Sequence, residues 1–225
     1  MTQLFKIKNR KIYIVIFSII LIVLEVLGFF LQSQRALETH NFWLSIFALL
    51  IYFTNQSNIL IFLVAILILT NLNYKWIQYL SFVTLINIII TSIVFNIFLL
   101  PLFDHLMFVQ ILLHSIIPII YVLYYFIFLD INLSIKHIYI SLIYPIIYML
   151  FVYLIYHPFI EAFMISFFGE NDYLNYVYPF LNPANYNHGF ISILQLTCLV
   201  FIPLILILSW SLLKLNHYIK KCFYK

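Results

Sequence analysis

Charged residues are scarce in this chain. Only 8% of its 225 residues are Asp, Glu, Lys or Arg, whereas 66% are hydrophobic, with 24 Phe and 18 Tyr among them. The mean hydropathy is +1.11. No soluble fold can hide so much apolar surface from water, so the composition excludes a soluble protein and predicts that lipid surrounds most of the chain.

Cysteine is scarce as well. The two cysteines are Cys198, inside the last apolar stretch, and Cys222, close to the C-terminus. They lie at different depths, so we expect no disulfide, and no Cys/His spacing indicates a metal. We therefore predict neither a metal site nor a cofactor.

Long apolar stretches account for most of the sequence. About 20 apolar residues cross a bilayer as a helix. Six such stretches are present, at about 12–32, 41–70, 77–99, 106–129, 138–156 and 189–213. They leave only short connections and one longer loop, 157–188. Its apolar first part, 158–168, is expected either to form a short interfacial helix or to belong to a simple connector. The prediction is an all-α membrane bundle of six helices in a single domain, 1–225, whose first span stays as an uncleaved anchor.

The basic residues predict the orientation. With the N-terminus inside, Arg35 is the one basic residue outside and the other ten of the eleven are inside: Lys6, Lys8, Arg10, Lys11, Lys75, Lys136, Lys214, Lys220, Lys221 and Lys225. Positive residues favour the cytoplasmic side. We therefore expect both termini in the cytoplasm and a multi-pass protein of the cell inner (cytoplasmic) membrane. The net charge of +4 then reports topology and not a nucleic-acid partner.

Five consecutive polar residues, Thr54 to Asn58, interrupt the second apolar stretch. Five adjacent hydrogen-bonding groups exceed what the packing of two helices requires. A span of this length with a polar centre permits a kink or a break, which a membrane tolerates only against protein or a wet cavity. The stretch therefore predicts a polar cavity beside the second span.

Polar side chains also form stripes on the other spans, at about 100° per residue. By span, the sets are Ser18 and Glu25; Thr54, Asn55, Ser57 and Asn58; Thr84, Asn87 and Thr91; Gln110, His114, Tyr121 and Tyr125; Ser141, Tyr144 and Tyr148. Such stripes would be costly in lipid, so we expect them to converge inside the bundle. The alternative is interhelical hydrogen bonding, worth only about 1 kcal/mol for each bond.

His114 and Pro118 stand four residues apart. The proline cannot donate to the carbonyl of His114, so we expect a bend there and a carbonyl left free towards the cavity. His114, Thr54 and Glu25 have comparable depths in the outer half of the membrane. One pocket can therefore hold an imidazole, a hydroxyl and a carboxylate.

These groups permit nucleophilic chemistry. A threonine hydroxyl needs an adjacent base, and histidine is suited to that role near neutral pH. Asn55 and Asn58 carry amide donors that could stabilise an oxyanion. Channels and transporters have equal polar content, so spacing alone leaves both classes open.

Four segments resemble one family in their order along the chain. They are "YFTNQSNIL" at 52–60, "LLHSIIPIIYVLYYFIF" at 112–128, "LIYPIIYMLFVYLIY" at 142–156 and "YPFLNPANYNHG" at 178–189. The chain resembles the bacterial Pr-six-Pr membrane proteins, which are related to the androgen-induced (FAR-17a-like) membrane proteins of animals. The resemblance runs from the first span to about Phe190.

The resemblance implies a six-span bundle and a threonine hydrolase that cleaves fatty acid esters of hydroxy fatty acids. By motif, the nucleophile falls on Thr54 and the base on His114. We assign supporting roles to Asn55, Asn58, Glu25, Gln110 and Tyr121. The expected partners are membrane lipids and a lipid ester substrate, without nucleic acid. The alternatives are a small transporter or channel, or a non-catalytic membrane scaffold.

Overall fold

A computed structural model describes residues 10–37, 42–70, 74–102, 105, 107–169 and 174–223. Most of the described residues are helical, and none of them lies in a strand. Five helices are long and apolar enough to cross a membrane: Arg10–Gln34, Lys75–Ile97, Phe108–Ile127, Ile135–Phe168 and Phe190–Lys221. The prediction of an all-α chain with several candidate membrane spans is confirmed.

The predicted second span differs from the other five because it is interrupted. Helix α1 covers Arg10–Leu37, and the next stretch is divided into α2, Phe42–Ile51, and α3, Phe53–Leu69. Tyr52 between them has extended backbone, with φ −75° and ψ 132°. The interruption that the polar stretch permitted is therefore present, and α3 is a shorter apolar helix of 17 residues.

Side chains of the polar stretch stabilise this interruption. The Asn55 amide donates to the Leu49 carbonyl over 2.8 Å, and the Gln56 amide donates to the Leu50 carbonyl over 2.8 Å. An interrupted helix leaves carbonyls without their usual donors four residues on, and lipid offers none. The amides supply the missing donors from within the chain.

The remaining helices contain irregular turns. The α-helices are α4, Lys75–Val94; α5, Phe108–Ile111; α6, Ile117–Ile127; α7, Ile143–Phe151; α8, Glu161–Phe168; α9, Phe190–Leu196; and α10, Ile202–Phe223. Four π-helical segments adjoin them, at Phe95–Leu99, Leu112–Ile116, Val152–Ile160 and Thr197–Phe201, and 3₁₀ turns cover Leu100–Leu102, Ile135–Leu142, Pro179–Leu181 and Pro183–Asn185. Each π-helical segment contains a proline or precedes one by a few residues: Pro101, Pro118, Pro158 and Pro203. A proline lacks the N–H of the α-helical ladder, which favours such local rearrangement.

The described residues form two compact units, one drawn from Met1–His137 and Trp210–Lys225 and the other from Ile138–Ser209. In the first unit α1 packs on α3 and α6, and α4 packs on the same two helices. These four helices surround the polar residues discussed below. We call them the four-helix unit.

The polar stripes point into the protein. Buried members are Ser18, Glu25, Asn55, Ser57, Asn58, Thr84, Asn87, Thr91, Tyr121, Tyr125, Ser141 and Tyr148. The half-buried members are Thr54, Gln110, His114 and Tyr144. The stretch after residue 157 is helical, but α8 directly continues the long helix Ile135–Phe168, so the loop expected to begin at residue 157 begins after Phe168 and the separate short helix is not formed.

Candidate functional site

Two contacts fix the register of α1 against α6. The Ser18 hydroxyl lies 2.6 Å from the Tyr124 hydroxyl. Ten residues further along α1, Gly28 faces Leu113, since a Cβ added to this glycine would lie 2.5 Å from Leu113 Cδ2. The two helices therefore run antiparallel, and their backbones approach closely at Gly28 of α1.

Two further contacts fix α4 against α6. The Tyr121 hydroxyl donates to the Ser81 carbonyl over 3.0 Å, and the Asn96 amide donates to the His114 carbonyl over 3.4 Å. These helices are therefore antiparallel too. Because the short connection after Thr70 makes α3 and α4 antiparallel neighbours, α3 runs parallel to the chain that carries His114.

His114 is held in a defined tautomer. Its Nδ1 lies 2.8 Å from the carbonyl oxygen of Gln110, one turn earlier. A carbonyl can only accept, so Nδ1 carries the hydrogen, and a neutral ring then has its lone pair on Nε2. The ring also stacks on Phe95, with centroids 3.8 Å apart and planes 18° apart. The imidazole is therefore held by contacts with Gln110 and Phe95, and its Nε2 keeps a lone pair.

The carbonyl of His114 is not free, which differs from the expectation drawn from Pro118. Pro118 does disturb the helix, but as the π-helical segment Leu112–Ile116. The carbonyl that was expected to be free accepts from the Asn96 amide, and the Ser115 hydroxyl donates to the Asn96 side-chain oxygen over 3.2 Å. The Asn96 side chain thus replaces the backbone N–H donor that Pro118 cannot supply to the His114 carbonyl.

The polar stretch of α3 is joined to this π-helical segment. The Asn58 amide donates to the Leu113 carbonyl over 3.4 Å. Thr54 lies one turn before Asn58 on the same side of α3, and His114 follows Leu113. The His114 ring reaches back along its helix to Gln110, which is the direction in which Thr54 lies from Asn58 on the parallel helix α3. No direct hydrogen bond joins Thr54 to His114 among the residues that the structure describes.

The two candidate oxyanion donors already have acceptors. The Asn55 amide bonds the Leu49 carbonyl, and the Asn58 amide bonds the Leu113 carbonyl. Each amide group has two hydrogens, so one remains on each for a further acceptor. Thr54 stands in the first turn of α3, where backbone N–H groups make a helix end electropositive.

The three other supporting residues occupy separate places. Gln110 contributes its backbone carbonyl to His114, while its side-chain oxygen accepts from the Met107 N–H over 3.0 Å. Tyr121 is buried against α4 through Ser81. The carbonyl of Gln110, and not Glu25, orients Nδ1 of His114.

Glu25 lies on the buried face of α1. It is fully buried, three residues before Gly28. Neither of its carboxylate oxygens has a hydrogen-bond partner among the described residues. Glu25 therefore places a carboxyl group inside the four-helix unit without a hydrogen-bond donor or a cation from the described residues beside it.

The second unit contains a polar cluster to which the sequence analysis gave no role. His157 Nδ1 lies 3.0 Å from a Glu161 carboxylate oxygen, and His157 Nε2 lies 2.7 Å from the Tyr176 hydroxyl. The same Glu161 oxygen accepts from the Tyr176 N–H over 2.9 Å. Burial, and then the Glu161 charge, raise the pKa of Tyr176. The spacing of His157 and Glu161, four residues apart on a helix, was the available signal.

No group of three or more His, Cys, Asp or Glu side chains in the described part of the chain could hold a metal ion. Comparison with protein-family models, with curated proteins and with solved structures finds no match. The chemistry of the site is therefore argued from its residues.

Proposed function

We propose that this chain is an intramembrane lipid-ester hydrolase in which Thr54 is the nucleophile and His114 its general base. The observation that carries the proposal is the fixed tautomer of His114. With Nδ1–H bound to Gln110, Nε2 is the nitrogen that can accept a proton. The Asn58–Leu113 hydrogen bond supports the proposal further, because it joins the helix of Thr54 to the segment of His114.

The reaction follows the general acyl-transfer scheme. The Thr54 oxygen attacks the ester carbonyl while His114 Nε2 takes the hydroxyl proton. The negative charge that develops on the carbonyl oxygen is stabilised at the electropositive start of α3, together with the second amide hydrogens of Asn55 and Asn58. His114 then returns the proton to the leaving alcohol, and an acyl-threonine remains. Water, deprotonated by the same ring, releases the fatty acid and restores Thr54.

The surroundings favour a lipid as substrate. The outer faces of the spanning helices are apolar, with Ile119 and Leu123 on the helix of His114 exposed. A neutral ester in the bilayer can reach such a site without crossing water. The resemblance to the androgen-induced membrane proteins suggests fatty acid esters of hydroxy fatty acids, or a related bacterial lipid. We place the protein in the inner membrane, with six spans and cytoplasmic termini.

A covalent probe for serine and threonine hydrolases tests this proposal on the purified protein. We expect labelling of the wild type, loss of labelling in Thr54→Ala, and strong loss in His114→Ala. Ser57→Ala is the matched control, because Ser57 is a buried hydroxyl of the same stretch that bonds the Phe53 carbonyl in its own helix. Labelling that persists in Thr54→Ala would contradict the assignment of the nucleophile.

One observation favours a second candidate, a small transporter. A helix interrupted at Tyr52, beside buried polar groups, is typical of transporters, whose substrate sites lie where membrane helices are discontinuous. Uptake by vesicles that contain the protein distinguishes the two functions. A transporter retains uptake in Thr54→Ala, whereas the hydrolase shows ester turnover that this change abolishes.

A further inference from the structure

A second polar centre lies inside the four-helix unit. Its members, Glu25, Asn58, Thr84 and Asn87, are fully buried. Both oxygens of Glu25, the side-chain oxygen of Asn58 and both amide atoms of Asn87 have no hydrogen-bond partner among the described residues, and the Thr84 hydroxyl interacts with that of Tyr121. Buried polar groups in proteins are almost always paired. Several unpaired groups in one small unit therefore indicate something that the protein chain itself does not supply.

The register places these groups near one level. Glu25 lies between Ser18, which meets Tyr124, and Gly28, which meets Leu113, so it stands opposite the start of α6 near Ile117. Asn87 lies between Ser81, which meets Tyr121, and Asn96, which meets His114. It therefore reaches the same level of α6 from the other side.

The two remaining groups flank this level. Asn58 bonds the Leu113 carbonyl, about one helical turn from Ile117. Thr84 is three residues before Asn87 on the same buried face of α4. A carboxylate, two amide oxygens and a hydroxyl thus approach one region from α1, α3 and α4.

The charge and chemistry of this set point to its ligand. An ionised carboxylate without a partner is very costly inside a protein, so Glu25 either binds a proton or faces a positive counter-charge. No described Lys or Arg side chain of the four-helix unit bonds Glu25, and a bound proton would neutralise Glu25 alone. A hard cation instead takes several oxygen ligands at once, neutral ones included. A single carboxylate balances a single positive charge.

We propose that Glu25, with the oxygens of Asn58, Thr84 and Asn87, forms an intramembrane site for a monovalent cation, Na⁺ in particular. The site shares Asn58 with the chemistry assigned to Thr54 and His114: the cation takes the side-chain oxygen of Asn58, whereas that chemistry uses its amide hydrogen. It ties three helices of the unit together around one ion. Coupling ions in membrane proteins bind at comparable places, where ionisable and backbone or amide oxygens meet near the middle of the bilayer.

Thermal unfolding in detergent tests the site, with NaCl exchanged for choline chloride at constant ionic strength. A ligand that binds only the folded state raises Tm with its concentration. We expect saturating Na⁺ to raise the Tm of the wild type by about 2–4 °C over choline. Equal Tm values in NaCl, KCl, LiCl and choline chloride would overturn the proposal, and this comparison needs no variant.

Variants then assign the response to Glu25. Glu25→Gln keeps the shape but removes the charge, and we expect it to lose the Na⁺-dependent rise in Tm. Ser18→Ala is the matched control, because Ser18 is buried on the same face of α1 but bonds Tyr124. It should keep the response. An unchanged Na⁺ response in Glu25→Gln would contradict the site.

Two further variants complete the test. Asn87→Ala should require a higher Na⁺ concentration for half of the rise in Tm, because one ligand is lost. Thr54→Ala should keep the full response, so failure of the hydrolase proposal and failure of the cation site give different results. If Glu25→Gln does not fold, an infrared spectrum of the wild type replaces it: Na⁺ should convert a protonated carboxyl band into a carboxylate band, and a spectrum insensitive to Na⁺ would contradict the site.

Discussion

The side-chain amide of Asn58 donates to the main-chain carbonyl of Leu113 over 3.4 Å, and this bond joins the interrupted second span to the π-helical segment of His114. A π-helical segment shifts the backbone partners of its residues, so such a carbonyl can accept from a neighbouring helix. The contact links the two segments that carry the proposed nucleophile and base.

Asn58→Ala therefore tests the role of this link. We expect a loss of about 1 kcal/mol in the free energy of unfolding, which is ordinary for an interhelical hydrogen bond in a membrane protein. Ester turnover should fall by more than that loss explains, because His114 is displaced relative to Thr54 and a candidate oxyanion donor is lost. Ser81→Ala is the control, since this buried hydroxyl bonds the Ile77 carbonyl in its own helix. Equal turnover in the two variants would show that the link does not position the site.

The close approach of Gly28 and Leu113 gives a second prediction. A Cβ on Gly28 would lie 2.5 Å from Leu113 Cδ2, and both residues are buried. Gly28→Ala should destabilise the protein by about 1–3 kcal/mol, because the leucine has to move in a packed interior. The double variant Gly28→Ala/Leu113→Ala should lose less free energy of unfolding than the sum of the losses in the two single variants. A double-mutant cycle measures this difference. Strict additivity would mean that the two positions do not meet.

The sequence permitted a kink or a break in the second span but did not show which of the two forms or how the chain accommodates it. The polar run after Phe53 indicated only the part of the span in which an interruption was tolerable. The interruption lies at Tyr52, where the Asn55 and Gln56 amides donate to the carbonyls of Leu49 and Leu50. Hydrogen bonds of this local kind leave no periodic pattern in the sequence. Helical periodicity reports the face on which a residue lies, and not the partner that it finds.

The same limit explains the differences at the site. Periodicity placed Glu25 and Asn87 on inward faces, and both are fully buried. It could not show that the Asn96 amide donates to the His114 carbonyl, because Asn96 belongs to none of the stripes. Nor could it show that a backbone carbonyl orients His114, since any helical residue provides one.

A third prediction concerns pH and the connection between α6 and α7. The Lys220 ammonium bonds Asp130 over 2.7 Å, and this hydrogen bond is the main reason that the pKa of Asp130 is lowered. A carboxyl whose pKa is lower in the folded state adds stability above its unfolded pKa, which is about 3.9, and this stability is lost as the pH falls through the folded value. The wild type should therefore exceed Asp130→Asn in stability at pH 7 and lose that advantage below about pH 4.

The size of the effect is limited by exposure. The Asp130 side chain is 59% exposed, so the pair is screened and its contribution at pH 7 should not exceed about 1 kcal/mol. Thermal unfolding of both proteins between pH 3 and pH 7 gives the difference. A gap in stability that widens towards pH 3 would have the wrong sign for this mechanism.

A fourth prediction tests the orientation. Asn175 lies in the described part of the predicted outer loop, and the distribution of positive residues predicts that Cys222 lies in the cytoplasm. In a Cys198→Ser background, an impermeant thiol reagent on intact cells should label Asn175→Cys, whereas Cys222 should react only after permeabilisation. Labelling of Cys222 alone on intact cells would reverse the topology.

The last prediction tests the chemistry itself. If Thr54 and His114 act as one unit, Thr54→Ala and His114→Ala should each abolish ester turnover, and the double variant should be little worse than either, because members of a catalytic unit are strongly non-additive. Thr54→Ser keeps a hydroxyl and should retain measurable turnover. If Thr54 only joins helices, its loss should cost about 1 kcal/mol of stability and leave turnover nearly normal. Stability in detergent is measured beside turnover, so that an unfolded variant is not mistaken for an inactive one. A folded Thr54→Ala protein that hydrolyses a proven ester substrate at the wild-type rate would rule out Thr54 as the nucleophile.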